Sequence, residues 1–194
     1  DKSATRMRTG VPPGAQLLVV ASRLSALGTT LDALIRACDR HQTVWLLLKP
    51  HPTESAGAYR KIATHCSARR CLVADGDSDL LELLYASDGL VTVDSLASSE
   101  ALILGRPVLV LNQPNHLDSL VELGAALGVE TADELPRQLE RFLFDPVTRE
   151  NLERRRVEYV SVFAAGADGQ STRRIADAIL NLAAQQAARR GDIA

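Results

Sequence analysis

A histidine held between two prolines is the first group in the chain with the chemistry of a binding site. The segment Lys49-Pro50-His51-Pro52 directly follows an apolar, strand-like run. The prolines fix the backbone on both sides and remove two N–H donors, so the imidazole extends from a stiff loop. An imidazole and an ammonium group both suit an anionic ligand, and His51 could also transfer protons. The alternative is that the prolines only end the strand and His51 caps the next helix.

A second segment places small hydroxyl residues and a carboxylate at the start of a predicted helix. A strand is expected to end near Asp94, and Ser95, Ser98 and Ser99 follow before Glu100. A helix start with unpaired N–H groups and hydroxyl donors can hold a phosphate. Glu100, one turn into the helix, could accept hydrogen bonds from ribose hydroxyls. It could equally complete a capping box that only stabilises the helix start.

Two further polar segments follow predicted strands. Ser22 comes after the first strand, and Asn112 begins a polar loop with Gln113, Asn115 and His116 after the fifth. In open parallel sheets, ligands bind beyond the carboxyl ends of the strands, so these side chains could line the same site. A plain surface loop would have the same composition.

The elements that position these loops alternate between apolar runs and segments of helical period, as in a parallel sheet with crossover helices. The runs are apolar on both faces, as in strands buried between two helix layers. We therefore predict an α/β protein with a Rossmann-like open parallel sheet of about five or six strands and helices on both faces. The predicted strands are 17–21, 44–48, 71–74, 90–93 and 108–111. The predicted helices cover about 27–38, 57–67, 78–87, 97–105, 118–127, 133–144 and 171–188.

The sequence also argues against several classes of protein. It has no G-x-G-x-x-G after the first strand and no G-x-x-x-x-G-K-[ST], which disfavours nicotinamide or flavin enzymes and P-loop hydrolases. A formal net charge of −2 and 4% aromatic residues leave neither a basic surface nor a stacking platform, so no nucleic acid partner is expected. Three cysteines without zinc spacing disfavour a disulfide framework and a structural metal, and fit a cytoplasmic protein.

The length of 194 residues predicts one domain. The chain opens without an initiator methionine, and turn-forming residues at 10 and 12–14 precede the first core segment. We therefore expect a piece of a longer protein. Residues 1–14 would be a linker from a missing N-terminal domain, 15–188 the Rossmann-like domain and 189–194 a flexible C-terminal tail.

Over about residues 17–112, these segments resemble the C-terminal half of GT-B glycosyltransferases, most closely that of capsule polysaccharide transferases. Those proteins carry a similar KPHP loop and an S-x-x-G-x-E-A-L-x-x-G-x-P-V segment, both of which hold the nucleotide and phosphate of an activated sugar. The resemblance rests on the segment from Lys49 to Pro52, on Asp88 before a strand, on Ser95 with Glu100-Ala101-Leu102, and on Gly105-Arg106-Pro107-Val108.

The match departs from that pattern in two respects. Ser98 stands where capsule transferases usually have glycine, which would narrow the space for close backbone approach. Residues 120–129 and 168–176 look more like UDP-N-acetylglucosamine 2-epimerases and, more loosely, CDP-glycerol polymer transferases. These families share one fold, so the resemblance defines the fold better than the reaction.

The resemblance implies roles for the candidate residues. His51 would be the catalytic group, contacting the donor phosphate or assisting departure of the leaving group. Lys49 and the serines Ser95, Ser98 and Ser99 would hold the phosphate, and Glu100 the ribose. Ser22 and Asn112 would be further nucleotide-binding residues.

The function implied is that of a donor-binding domain. The full-length parent would be a bacterial glycosyltransferase that moves a sugar from a nucleotide-sugar to a surface or capsular polysaccharide acceptor, and this fragment alone would be inactive. No cofactor or metal is expected, and the partners would be the donor, the missing domain and the glycan acceptor. The resemblance is also compatible with association of the full-length parent with the inner face of the membrane. The alternatives are an epimerase-like domain, a CDP-glycerol-type polymer transferase, or a non-catalytic module of the same fold.

Overall fold

The centre of the protein is a parallel sheet with a reversal in its strand order. A computed structural model describes residues 1–66, 69–164 and 167–191, and within them the sheet has six strands in the order β3-β2-β1-β4-β5-β6. The strands are β1 (Gln16–Val20), β2 (Val44–Leu48), β3 (Cys71–Val73), β4 (Gly89–Thr92), β5 (Val108–Val110) and β6 (Leu127–Gly128). All five pairings are parallel. The predicted fold is confirmed.

Helices connect the strands and flank the sheet. They are α1 (Lys2–Thr9), α2 (Leu24–Leu27), α3 (Thr30–Asp39), α4 (Ala56–His65), α5 (Leu80–Ala86), α6 (Ala97–Ile103), α7 (Asp118–Glu122), α8 (Leu135–Phe144), α9 (Pro146–Phe163) and α10 (Ser171–Gly191). A short 3-10 turn, Ala132–Glu134, precedes α8. The chain divides into two compact units, Asp1–Val157 and Glu158–Ala194, and the whole sheet lies in the first.

The core has two layers because side chains alternate across each strand. On one face, Leu18 and Val20 of β1 belong to a cluster with Leu34 of α3 and Leu139 of α8. The alternate residues Leu17 and Val19 are also buried, and α5 and α6 lie against the sheet through β1, β4 and β5. Burial on both faces explains why the strands are apolar throughout rather than alternating.

The second half of the sheet differs from the sequence prediction. A single helix was expected over 118–127, whereas α7 ends at Glu122 and β6 follows at Leu127. Gly124 adopts the left-handed conformation (φ +72°) that lets the chain leave the helix and return to the sheet. Two residues of β6 are too short a run to give a strand signal in the sequence.

The segment 1–14, expected to be a linker, contains α1 and is anchored to the sheet. Arg6 donates to the backbone oxygens of Ala86 and Ala15, both at 2.8 Å, and to the carboxylate of Asp88 at 2.5 Å. Lys2 reaches the other oxygen of Asp88 at 3.1 Å. Contacts with Ala86 and Asp88, which are far away in the chain, hold α1 in position. The local sequence of turn formers and charged residues therefore did not predict this helix.

The second unit contains α10, which continues to Gly191. Residues 192–194 of the expected tail lie outside the described residues. Among the helices that the structure describes, none is long and apolar enough to cross a membrane.

Candidate functional site

A pocket of about 640 Å³ lies at the carboxyl edge of the sheet, where the strand order reverses. From β1 the chain proceeds to β2 and β3 on one side, and then returns to place β4 on the other side of β1. The loops after β1 and β4 therefore diverge and leave a crevice between them. The pocket is lined by the loops that follow β1, β2, β3 and β4, together with Leu80 of α5 and Ala97 and Glu100 of α6.

His51 and Ser95 line this one pocket from two different loops, as the sequence predicts. Nδ1 of His51 lies 2.8 Å from Oγ1 of Thr53 and accepts the Thr53 N–H at 3.3 Å. Because Nδ1 is an acceptor, the proton of the neutral ring resides on Nε2. The ring therefore has an Nε2–H donor that Thr53 does not use.

Ser95 lies in the turn that leads into α6. Its Oγ accepts the N–H of Ala97 at 3.2 Å, and its own N–H donates to Oγ1 of Thr92 at 3.3 Å. The hydroxyl acts as an acceptor in the first of these bonds, so its proton remains free to be donated to a ligand. The turn after β4 is thus held by hydrogen bonds at both ends.

Lys49 places a nearly buried ammonium group beside the pocket. The residue is 7% exposed, and its Nζ donates to the carbonyl oxygens of Pro50 at 3.2 Å and Gly76 at 2.9 Å. These bonds join the loop after β2 to the loop after β3. One N–H of the ammonium is left for a ligand, and its charge is only weakly screened at this depth.

Two of the predicted serines do not reach the pocket. Ser98 is 1% exposed and lies on the face of α6 that also buries Ala101 and Leu102. Ala97 and Glu100, three residues apart, line the pocket instead. Residues three or four apart share a helix face whereas neighbours do not, so Ser98 and Ser99 point away from the face that Glu100 occupies.

The other two predicted binding residues make contacts within the protein. Ser22 is at the pocket, but its Oγ accepts the N–H of Val93 at 2.8 Å and lies 3.0 Å from Oγ1 of Thr92. Asn112 is not among the pocket residues, because its side chain accepts from Thr30 Oγ1 at 2.6 Å and donates to Ala26 O at 2.7 Å. The side chain of Asn112 therefore connects the loop after β5 to both α2 and α3.

Several lining residues were missed by the sequence analysis. The loop after β3 contributes Gly76 and Ser78, and the loop after β1 contributes Arg23. Both loops follow the carboxyl ends of strands, where ligands of open parallel sheets bind, and this position is the sequence signal that points to them. Arg23 and Lys49 place positive charge on a rim where Asp94 and Glu100 carry negative charge.

Metal ligands do not cluster here. Among the residues described by the structure, no group of three or more histidine, cysteine, aspartate or glutamate side chains is arranged to hold a metal ion. The pocket has side chains that can contact an anion. They are the imidazole of His51, the ammonium of Lys49, the guanidinium of Arg23 and the hydroxyl of Ser95.

In the second unit, Asp168 lies just before α10 and is hydrogen-bonded to the first turn of that helix. Asp168 accepts hydrogen bonds from Arg174 and from the Gln170 N–H, and these bonds lower the pKa of its carboxyl group to about 2. Arg173 lies 3.9 Å from Asp177. The two arginines at the helix start thus have carboxylate partners within the unit.

The fold and the pocket together define a Rossmann-like α/β domain with a pocket at its switch point, where ligands of such sheets bind. The family model described as "Capsule polysaccharide biosynthesis protein" matches residues 20–117, a range that includes every residue lining the pocket. The chain belongs to this family. No curated protein sequence matches it.

Solved structures share the fold at low sequence identity. WaaG, a glycosyltransferase involved in lipopolysaccharide biosynthesis, is 19% identical over 83% of this chain and 46% of its own, with a TM-score of 0.64. The C-terminal CMP-Kdo binding domain of WaaA from Acinetobacter baumannii is 15% identical over 82% of this chain and 95% of its own, with a TM-score of 0.65. UDP-GlcNAc 2-epimerase from Neisseria meningitidis, bound to UDP-GlcNAc, is 13% identical over 78% of this chain and 42% of its own, with a TM-score of 0.64.

The share of each solved structure that this chain matches differs between the three. The chain spans about half of WaaG or of the epimerase, and nearly all of the isolated CMP-Kdo binding domain. The chain therefore matches the isolated CMP-Kdo binding domain in length and fold, and only part of the two longer proteins.

Proposed function

We propose that this chain is the donor-binding domain of a bacterial glycosyltransferase that moves a sugar from a nucleotide-sugar to a surface or capsular polysaccharide. One observation carries the proposal: His51, Ser95 and Glu100 line a single pocket at the switch point of the sheet. Membership of the capsule polysaccharide biosynthesis family supports it, as do the nucleotide-sugars named for two similar structures, CMP-Kdo and UDP-GlcNAc.

In this proposal the pocket binds the donor through its phosphate and ribose. The Nε2–H of His51 and the hydroxyl of Ser95 donate to phosphate oxygens, and Glu100 accepts from ribose hydroxyls. As the bond to the sugar breaks, negative charge grows on the departing phosphate. Lys49 and His51 stabilise that charge, and their fixed positions avoid the cost of reorganisation during the reaction.

The acceptor is bound by a further domain of the full-length parent, so this chain alone binds donor without transferring sugar. No metal is needed, because the charge on the phosphate is met by protein groups. A chelator should leave nucleotide binding unchanged. The proposal places the parent in the cytoplasm or at the inner face of the membrane, where it would meet its donor.

Nucleotide binding by this chain is the direct test. Isothermal titration calorimetry with CMP, UDP and CDP should detect at least one ligand. Replacing His51 or Ser95 with alanine removes a hydrogen bond to a charged group, worth about 1.5–3 kcal/mol, and should weaken binding roughly tenfold to a hundredfold.

Two matched variants control for the substitutions themselves. His65→Ala removes an exposed imidazole at the end of α4, and Ser99→Ala removes a hydroxyl from α6 outside the pocket. Both should bind as the unmodified chain does. Absence of heat with every nucleotide and nucleotide-sugar tried would refute donor binding and favour a non-catalytic module of the same fold.

A second candidate function is sugar epimerisation, because solved UDP-N-acetylglucosamine 2-epimerases share the fold, and a different experiment tests it. A UDP-N-acetylglucosamine 2-epimerase changes its substrate without any acceptor. Incubating the full-length parent with UDP-N-acetylglucosamine alone would then yield the 2-epimer, whereas a glycosyltransferase leaves the sugar configuration intact. Proton NMR of the sugar ring distinguishes the two outcomes.

A further inference from the structure

Tyr59 is a buried tyrosine whose hydroxyl contacts two separate parts of the pocket rim. It belongs to α4 and is 0% exposed. Its hydroxyl oxygen lies 2.9 Å from the carbonyl oxygen of Ser22 and 3.5 Å from the backbone nitrogen of His51. Ser22 follows β1 and His51 follows β2. One buried side chain that does not line the pocket therefore contacts both loops.

Glu54 completes this connection. Its Oε2 lies 2.5 Å from the Tyr59 hydroxyl, and its two carboxylate oxygens lie 3.1 and 3.3 Å from the backbone nitrogen of Leu24. Leu24 is the first residue of α2, which the loop after β1 leads into, and Arg23 before it makes no side-chain cap bond. The Leu24 N–H is therefore satisfied by a carboxylate from the loop after β2.

The chemistry of Tyr59 suits a permanent connection. Burial raises the pKa of the phenol, and the hydrogen bond to the Glu54 carboxylate raises it further, so the hydroxyl keeps its proton. That proton has two acceptors within reach, Glu54 and the Ser22 carbonyl. Phenylalanine would fill the same space and leave both acceptors without this donor.

We propose that Tyr59 and Glu54 are positioning residues that hold the His51 loop against the loop after β1, so that the pocket has its shape before a ligand arrives. The consequence for binding rests on the proposed function, in which His51 contacts the donor phosphate. The structural consequence, a fixed junction between the two loops, does not depend on it.

The test uses Tyr59→Phe in the 194-residue chain, with Ser87→Ala as control. Ser87 is also 0% exposed, and its hydroxyl donates to a backbone carbonyl, that of Leu84, before β4 and so at the opposite edge of the sheet. Circular dichroism should show that both variants fold. Amide hydrogen exchange by NMR should then show the Leu24 N–H exchanging about tenfold faster in Tyr59→Phe, with the Leu18 N–H of β1 unchanged, because a tenfold change corresponds to about 1.4 kcal/mol, the size of one lost hydrogen bond.

Nucleotide affinity separates positioning from a general loss of stability. In the otherwise unmodified 194-residue chain, Tyr59→Phe should weaken binding of CMP, UDP or CDP severalfold. In a chain that already carries His51→Ala, it should cause no further loss of affinity, because it acts through His51. Glu54→Gln, which keeps an oxygen acceptor for Leu24, should recover most of the affinity lost in Glu54→Ala. Ser87→Ala should bind as the unmodified chain does.

Two results would overturn the inference. One is unchanged Leu24 exchange in Tyr59→Phe, which would mean that the junction does not need the hydroxyl. The other is a loss of affinity that adds fully to that of His51→Ala, which would mean that Tyr59 does not act through His51. If the unmodified chain binds no nucleotide, the proposed function fails, and the exchange measurement alone decides whether the loops are joined as described.

Discussion

The hydroxyl of Ser22 lies 3.0 Å from the hydroxyl of Thr92, which joins the ends of β1 and β4 where the strand order reverses. Thr92 donates to the carbonyl of Ala21 at 2.8 Å, and Ser22 accepts the N–H of Val93 at 2.8 Å. Both side chains are buried. The loops after β1 and β4 diverge to form the pocket, and these hydrogen bonds connect the two strand ends from which the loops begin.

This arrangement predicts coupled effects on stability. Ser22→Ala and Thr92→Val should each lower the free energy of unfolding by about 1–3 kcal/mol, because each leaves buried partners unsatisfied. The double variant should lose less than the sum of the two, since the residues share one bond. Urea denaturation followed by circular dichroism measures all three. If Ser22→Ala instead kept full stability and lost nucleotide affinity, Ser22 would be a phosphate ligand, as the sequence suggested.

Glu100 should determine whether the pocket distinguishes ribose from deoxyribose. Its carboxylate lines the pocket, and a pair of ribose hydroxyls would both donate to it. We expect the unmodified chain to bind a ribonucleotide about tenfold more tightly than its 2′,3′-dideoxy analogue, and Glu100→Gln to remove most of that preference. Calorimetry with both ligands gives the ratio.

Glu122→Gln provides the control for this prediction, because Glu122 is exposed on α7 and does not line the pocket. That variant should keep the preference of the unmodified chain. An undiminished preference in Glu100→Gln would leave Glu100 with only a role in stabilising the start of α6.

The positions of His51 and Ser95 could be predicted from the sequence because they depend on topology. Carboxyl ends of parallel strands meet at one edge, so polar residues after two strands approach each other. Ser98 and Ser99 do not line the pocket, because residues that are neighbours in sequence do not share one face of a helix. Asn112 follows a strand too, but β5 lies one strand beyond the reversal, and its side chain is bonded to Thr30 and Ala26.

The parts of the fold that the sequence missed depend on partners far away in the chain. Helix α1 is held by an ion pair between Arg6 and Asp88, which are separated by 82 positions. Tyr59 fits the apolar stripe of a helix, and only the fold shows that its hydroxyl lies between two loops. Local patterns predict the elements well, whereas contacts of this kind appear only when the elements are assembled.

Lys49 should contribute both to stability and to phosphate binding. Lys49→Met keeps the aliphatic part of the side chain and removes the donors to Pro50 O and Gly76 O. We expect the free energy of unfolding to fall by about 1–3 kcal/mol. The affinity for a nucleoside diphosphate should fall by a larger factor than that for the nucleoside, because only the former carries the charge that the ammonium attracts.

Lys61→Met, an exposed substitution on α4, controls for the loss of one positive charge. It should change neither stability nor affinity measurably. If Lys49→Met weakened nucleoside and nucleoside diphosphate equally, Lys49 would act only by joining the loops after β2 and β3.

Asp88 should make the attachment of α1 depend on pH. Burial alone would raise the pKa of this carboxyl, but hydrogen bonds from the Leu17 N–H, Arg6 and Lys2 outweigh it, and the pKa is lowered in the folded protein. A carboxyl group with a lowered pKa stabilises the fold at any pH above its unfolded value of about 4. That contribution is lost as the pH falls through the folded value.

Asp88→Asn should therefore be less stable than the unmodified chain by about 1–3 kcal/mol at neutral pH, because Arg6 and Lys2 lose their charged partner. The difference should begin to narrow as the pH drops below about 4, where Asp88 takes up a proton in the unfolded chain, and should disappear once the pH is below the lowered pKa of the folded protein, where the carboxyl is neutral in both states. Urea unfolding of both proteins across this range tests the sign, with Asp133→Asn, an exposed change in the turn before α8, as control. A deficit that stayed constant into strong acid would show that the Asp88 charge does not hold α1, and that the asparagine acts through its shape alone.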